Sequence, residues 1–179
     1  TGILGRNGIG KSTAVKILAK IIMPNLGKLN TTADFKDIIQ YFKGTEMQKF
    51  LEKLNKDEIH FSYKPQQIEF IPKQFTGTVR ELLQKTDQKN QLPRVAEQLQ
   101  MQGFLDNQIS HLSGGELQRV AIAAAALKKA QLYLFDEPTS YLDIKQRINA
   151  SLFIRSLTDE NTAGMAVEHD LIIFDYMTD

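Results

Sequence analysis

Cysteine is absent from all 179 residues. Disulfides, thiolate metal sites, iron–sulfur clusters and cysteine nucleophiles are therefore excluded for this chain. An excess of one charge is missing too, because 22 Lys and Arg stand against 21 Asp and Glu. A net charge of +1 supplies no global field to hold nucleic acid or an anionic membrane, which leaves only a local basic patch open. No run of about 18 apolar residues occurs, so no membrane-spanning helix is expected. The opening residues Thr1-Gly2-Ile3-Leu4-Gly5 have no basic leader, so no signal peptide is expected either. Internal repeats and low-complexity tracts are also lacking. What is present, 42% hydrophobic and 24% charged residues, describes a globular chain with one core. Ile3-Leu4 reads as the end of a buried strand that begins almost at the first residue, so the chain is expected to be a piece of something longer.

The apolar pattern alternates between strand and helix periods. A helix is expected over Lys11 to Ile22, with Ala14, Val15, Leu18, Ile21 and Ile22 on its inner face. Phe35, Ile38, Ile39 and Phe42, then Met47, Phe50, Leu51 and Leu54, predict two short helices between Asp34 and Lys56. Gly44 reads as the stop of the first, and Thr45 with Gln48 as a capping box for the second. Ile59, Phe61 and Tyr63 alternate with His60 and Ser62 as in a strand. Further helices are expected from Thr78 through Leu83, Pro93 to Met101, Glu116 to Lys129, Asp143 to Leu157 and Asp170 to Met177, with short strands at Leu132 to Phe135 and Met165 to Val167. Strands separated by helices imply a mostly parallel α/β sheet flanked by helices.

Gly5-Arg6-Asn7-Gly8-Ile9-Gly10-Lys11-Ser12 matches G-x-x-x-x-G-K-[ST] between a strand end and a helix start, the context a phosphate-binding loop requires. Glycines let Asn7, Gly8, Ile9 and Gly10 turn their N–H groups toward phosphate oxygens. The helix start adds unpaired amides and the positive end of its dipole. Lys11 supplies a mobile positive charge for the β and γ phosphates, the Ser12 hydroxyl a ligand for Mg²⁺, and Thr13 a bond to the α-phosphate. The bland alternative is an ordinary glycine-rich turn.

Leu132-Tyr133-Leu134-Phe135-Asp136-Glu137 is an apolar strand ending in two carboxylates. Ligands of parallel sheets bind beyond the C-terminal strand ends, so both motifs belong on one rim. Asp136 is the candidate Mg²⁺ ligand. Glu137, pointing the other way along the strand period, is the candidate base for a water. Leu112-Ser113-Gly114-Gly115-Glu116-Leu117-Gln118 leads into the long helix. Ser113 and Glu116 make a capping box, and the glycines bare amides at a second positive helix end.

These motifs resemble those of ATP-binding-cassette ATPases, P-loop NTPases with a helical signature subdomain. LSGGELQ resembles the family signature, and YLFDEPTSYLD its acidic strand and the loop ending at Asp143. Gln66 in Tyr63-Lys64-Pro65-Gln66 falls at the Q-loop glutamine, and Val167-Glu168-His169-Asp170 at the switch histidine. The resemblance implies that Glu137 is catalytic, that Gln66 helps bind Mg²⁺ and senses closure, and that His169 contacts the γ-phosphate. It also implies head-to-tail pairing with a second cassette of the same full-length protein, in which Ser113 and Gly115 close over ATP held by the partner. The segments GRNGIGKSTAVKILA, YFKGTEMQKFLEKL, KPQ with IPK, and VEHDLIIFDYMTD further resemble the first cassette of the RNase L inhibitor subfamily, subfamily E, whose members split ribosomes. On that resemblance residues 1–179 are a partial nucleotide-binding domain. Residues 32–57 are its helix-loop-helix insertion, facing the ribosomal small subunit, and about 75–127 the helical subdomain. An iron–sulfur domain, a second cassette and an amino-terminal β subdomain would lie outside the chain. A cytoplasmic, Mg²⁺-dependent ATPase working with translation factors is the expectation. The five motifs alone leave open the nucleotide subunit of a membrane transporter, or a binding module that no longer hydrolyses ATP.

The remaining polar residues read as ordinary. His60 and His111 lack metal-ligand spacing. The five lysines Lys36, Lys43, Lys49, Lys53 and Lys56 of the helix pair are balanced by Asp34, Asp37, Glu46, Glu52, Asp57 and Glu58, a solvated face rather than an RNA surface. Tyr41, Phe42 and Phe50 are expected in the core.

Overall fold

The computed structural model describes residues 2–4, 10–27 and 34–177. A run of five consecutive buried residues, Leu132–Asp136, forms the strand β3, which is covered on both faces as parallel sheets demand. Beside it lie β1 (Gly2–Leu4), β2 (Phe61–Lys64) and β4 (Ala163–Glu168). The order across the sheet is β1-β4-β3-β2, and every neighbouring pair is parallel. The register sets Lys64 beside Phe135, and Asp136 beside Val167, so three strands end on one rim.

Alternation along β3 divides the core. Leu132 and Leu134 pack with Val15 and Ala19 of the segment beginning with helix α1 (Lys11–Leu18). Tyr133 and Phe135 face the larger cluster, which holds most of α7 (Gly114–Ala126). The same cluster takes in α5 (Val79–Thr86), α6 (Leu92–Gln98) and Phe153 and Ile154 of α8 (Ile144–Arg155). Helix α9 (Leu171–Met177) packs on α8 and closes the described chain. Thr78, Ser113 and Asp143 each cap their helices with a full capping box, and the Asp170 carboxylate accepts from the Ile172 amide at 3.0 Å. No described helix is long and apolar enough to cross a membrane.

Several local expectations need correction. Helix α1 stops at Leu18, not Ile22. Lys20 adopts a left-handed conformation, with its amide on Ile17 O and that of Ile21 on Lys16 O. This Schellman closure turns the chain away, leaving Ile21 54% and Ile22 37% exposed; Ala14, expected on the inner face, is also exposed.

The helix pair forms as α2 (Phe35–Tyr41) and α3 (Glu46–Asn55), joined around Phe35, Ile38, Leu51 and Leu54. Residues 32 and 33 of the expected insertion lie outside the described residues. The Thr45–Gln48 capping box does not form. Thr45 Oγ1 donates back to Phe42 O, and Gln48 Oε1 accepts the Gly44 amide instead. Phe42 and Phe50 are half-buried against the pair, whereas Tyr41, off the Phe35–Ile38 stripe, is 69% exposed.

Strand β2 reverses its pattern, burying Ser62 and Lys64 while Phe61 and Tyr63 are half-buried. Helix α7 covers the polar face, and Ser62 Oγ donates to Ala125 O there at 2.8 Å. Two short elements had no periodic signal: α4 (Ile71–Gln74) and a 3-10 turn at Ile109–His111.

Candidate active site

The loop preceding α1 is described from Gly10 onward; Asn7, Gly8 and Ile9 lie outside the described residues. Gly10 is the N-cap of α1 at φ 91, and among the described residues no side chain caps that helix. A positive φ is a conformation glycine adopts without steric cost. Lys11, Ser12 and Thr13 follow on the first turn and, with Gly10, Gln66, Glu137 and His169, line a cavity of about 560 Å³. The structure thus draws four separate sequence segments to one place.

Asp136 lies behind this cavity, fully buried, and is joined to it through Ser12, whose Oγ donates to Asp136 Oδ1 at 2.7 Å. Its other oxygen accepts from the Tyr63 hydroxyl at 3.5 Å. Burial, and then the neighbouring Asp136 charge, raise the Tyr63 phenol above its ordinary value, so it remains a donor.

Glu137 is not a continuation of the strand alternation. β3 ends at Asp136, and Glu137 turns to φ 46, its amide donating to Val167 O at 3.0 Å. The carboxylate, 18% exposed, lies 2.9 Å from His169 Nε2 through Oε1 and accepts from Ser140 Oγ at 3.3 Å through Oε2. Glu137 and Gln66 also border a second cavity of about 260 Å³ with Glu69, Ser140 and Tyr141. A carboxylate held by a histidine beside water-sized space can orient a water and take its proton.

Ser113 and Gly115 do not line the cavity. They lie at the start of α7, where the Ser113 hydroxyl donates to Glu116 Oε2 at 2.7 Å and accepts the Glu116 amide. The glycines there also have a packing reason. A Cβ on Gly115 would stand 3.0 Å from Tyr141 O, and one on Gly114 3.2 Å from the Tyr141 ring. His60 and His111 are exposed. Among the described residues no group of three or more His, Asp or Glu side chains could hold a metal.

A family model described as ABC transporter matches residues 1–140. The chain belongs to the ABC ATPase family. As an ABC ATPase cassette it carries the ATP-binding function of that family, on the parallel α/β sheet described above. The cassette is similar to an archaeal ribosome recycling factor crystallised with the ribosomal stalk protein aP1, at 50% identity and a TM-score of 0.94 over 99% of this chain and 34% of that one. It is equally similar to a solved RNase-L inhibitor, at 50% identity and a TM-score of 0.93, with the same coverage. Translation initiation factor RLI1 of Saccharomyces cerevisiae is 44% identical over 99% of this chain and 30% of its own length. The chain thus spans about a third of the length of each of these three relatives.

Two residues of the cassette site escape sequence reasoning. Lys64, 1% exposed, donates through Nζ to the carbonyl oxygens of Asp136 and Glu137 at 3.0 and 3.1 Å. Gln118, fully buried, donates through Nε2 to the same Glu137 carbonyl at 2.9 Å. The available signal was the position of Lys64 on β2, two residues before Gln66, but its burial depends on how α7 packs.

Proposed function

We propose that this chain is the first nucleotide-binding cassette of a longer ATP-driven mechanoenzyme that splits ribosomes in the cytoplasm. The observation carrying this reading is the single cavity that Lys11, Ser12, Thr13, Gln66, Glu137 and His169 share, with Asp136 bonded behind Ser12. The similarity to a ribosome recycling factor supplies the cellular role.

In this reading Asn7, Gly8, Ile9, Gly10 and Lys11 hold the phosphates, and Thr13 the α-phosphate. The Glu137 carboxylate takes a proton from water as the water oxygen bonds to the γ-phosphorus and the bond from the γ-phosphorus to the ADP oxygen breaks. His169 steadies the carboxylate and contacts the γ-phosphate. The donors for Mg²⁺ are the Ser12 hydroxyl, the Asp136 carboxylate and the Gln66 amide oxygen, an all-oxygen set of the kind this hard cation prefers. The short Ser12–Asp136 contact already brings two of these donors together. Bound there, Mg²⁺ would neutralise charge developing on the phosphate oxygens.

Ser113 and Gly115 lie outside the chain's own cavity, which suits a signature that closes over ATP on a second cassette, head to tail. Residues about 75–127 form the helical subdomain carrying that signature. Residues 32–57 form the insertion that meets the ribosomal small subunit, with translation factors as further partners of the full-length protein. Turnover by the isolated chain is then slow; fast turnover independent of protein concentration would overturn the two-cassette scheme.

The test is Glu137→Gln in the full-length protein. ATP affinity stays unchanged while turnover at this cassette falls about 10²–10⁴-fold, the usual contribution of a positioned base. Near-normal hydrolysis would remove Glu137 from its role. Co-sedimentation of the intact protein with membranes instead of ribosomes would replace the ribosomal reading with a transporter subunit.

A further inference from the structure

A buried cation stands directly behind the base, and the reaction above gives it no part. Lys64 is the last residue of β2 and sits in register with Phe135, so its ammonium reaches past the end of β3. It meets the two carbonyls of the turn there, Asp136 O and Glu137 O. Burying an ammonium is unfavourable unless its donors are satisfied. Burial lowers its pKa to about 8, against the opposing pull of Asp136, Glu168, Glu137 and Glu69. An apolar residue would fill the same edge-strand position without that cost. The carbonyls that Lys64 holds therefore explain its presence better than packing does.

Those carbonyls need holding. A non-glycine residue at φ 46 persists only where its surroundings over-determine it. At Glu137 three bonds do so: its amide to Val167 O, and its carbonyl accepting from both Lys64 and Gln118. Beyond the turn, Glu168 Oε1 accepts from the Thr139 amide at 2.9 Å and its hydroxyl at 2.8 Å. The segment Asp136–Thr139 is thus held by a cation on its carbonyls and by a carboxyl group on its amide side. Lys64 itself does not line the nucleotide cavity.

We propose that Lys64 is a positioning residue for the base. Its ammonium, together with the Gln118 amide, pins the Asp136 and Glu137 carbonyls and so aims the Glu137 carboxylate at His169 and the cavity. This rests on the assignment of Glu137 as the base.

The experiment uses the full-length protein with the equivalent base of the other cassette already changed to glutamine, so that turnover reports this site. Lys64→Met keeps the length and apolar stem and removes the donors. Because small misplacement of a catalytic group costs about 10- to 100-fold, kcat falls by that range. KM for ATP and the calorimetric affinity stay within about twofold, since the phosphate contacts are untouched. Added to Glu137→Gln, the same change produces no further loss, because there is no base left to aim. Gln118→Met, which removes the second donor, gives a smaller loss with the same pattern and keeps the question answerable if Lys64→Met does not fold. A kcat for Lys64→Met that matches the parent, a loss of ATP affinity in step with kcat, or a full additional loss on top of Glu137→Gln overturns the proposal. If Glu137→Gln alone leaves turnover intact, the base assignment falls and this role with it. If only Lys64→Met leaves it intact, the base assignment stands alone.

Discussion

Helices α1 and α7 both begin beside glycines, yet they begin differently. Gly10 opens α1 in a left-handed conformation, with no side-chain cap among the described residues, beside the cavity that Lys11, Ser12 and Glu137 line. Ser113 opens α7 with a complete capping box, in which Glu116 answers its own helix end. The first turn of any helix carries amides without intrahelical partners. An end left uncapped by side chains receives an anionic ligand without breaking anything. A capped end must first surrender its own bonds. The difference teaches that a glycine-flanked helix start is not one device. In the proposed reading the α1 end holds phosphate for its own chain, and the α7 end is a capped surface whose ligand would come from outside.

The most severe way to break this comparison is Lys11→Ala. Losing the Lys11 ammonium at this helix start weakens ATP binding by at least about 100-fold, since phosphate contacts to a charged donor are among the strong ones. Calorimetry showing unchanged affinity would mean that α1 is no phosphate site. Next comes Gly115→Val, which presses side-chain atoms onto the Tyr141 carbonyl. Overpacking of this kind costs about 1–3 kcal/mol, visible as a lower denaturation midpoint, while ATP affinity at α1 is retained. Loss of ATP binding in that variant would show that the two ends are not separate. Ser113→Ala removes a cap and lowers stability by about 1 kcal/mol, measured by urea unfolding. An unchanged midpoint would show that the box contributes nothing.

The smallest effect is one of pH. Hydrogen bonds from Ser113, its hydroxyl first and then its amide, hold the Glu116 carboxyl below its ordinary 4.5. A lowered folded pKa means the contribution is complete above the unfolded value and disappears as pH falls through the folded one. The stability gap between parent and Ser113→Ala therefore narrows on acidification below 4.5. A gap that widens instead would reverse the assigned role of the carboxylate.

Much of this site was legible because its signals are local. Lys11 and Ser12 sit at fixed spacing after a strand, Asp136 and Glu137 end an apolar run, and a parallel sheet places such ends on one rim. Apart from α4 and the 3-10 turn at Ile109–His111, the strand-and-helix order follows from period and capping signals. Signals that depend on distant packing were silent. Lys64 looks like the polar side of an edge strand until α7 covers it, and Gln118 looks like an ordinary helix residue. The reach of α1 was overread because Ile21 and Ile22 continue its period, whereas the left-handed Lys20 ends it. The turn at Glu137 was unreadable for a similar reason: a glutamate carries no preference for positive φ, and the bonds imposing it come from β2, β4 and α7. Four-residue α4 has too few positions to show any period.

Glu168 and His169 are consecutive residues, one ending β4 and the other following it. The first grips Thr139 and the second touches Glu137. Two adjacent links on a single strand tip therefore fasten two points of the same bend, like the throws of a crankshaft. Rotating that bend strains both couplings together, so displacement at either one is transmitted to the other without slack.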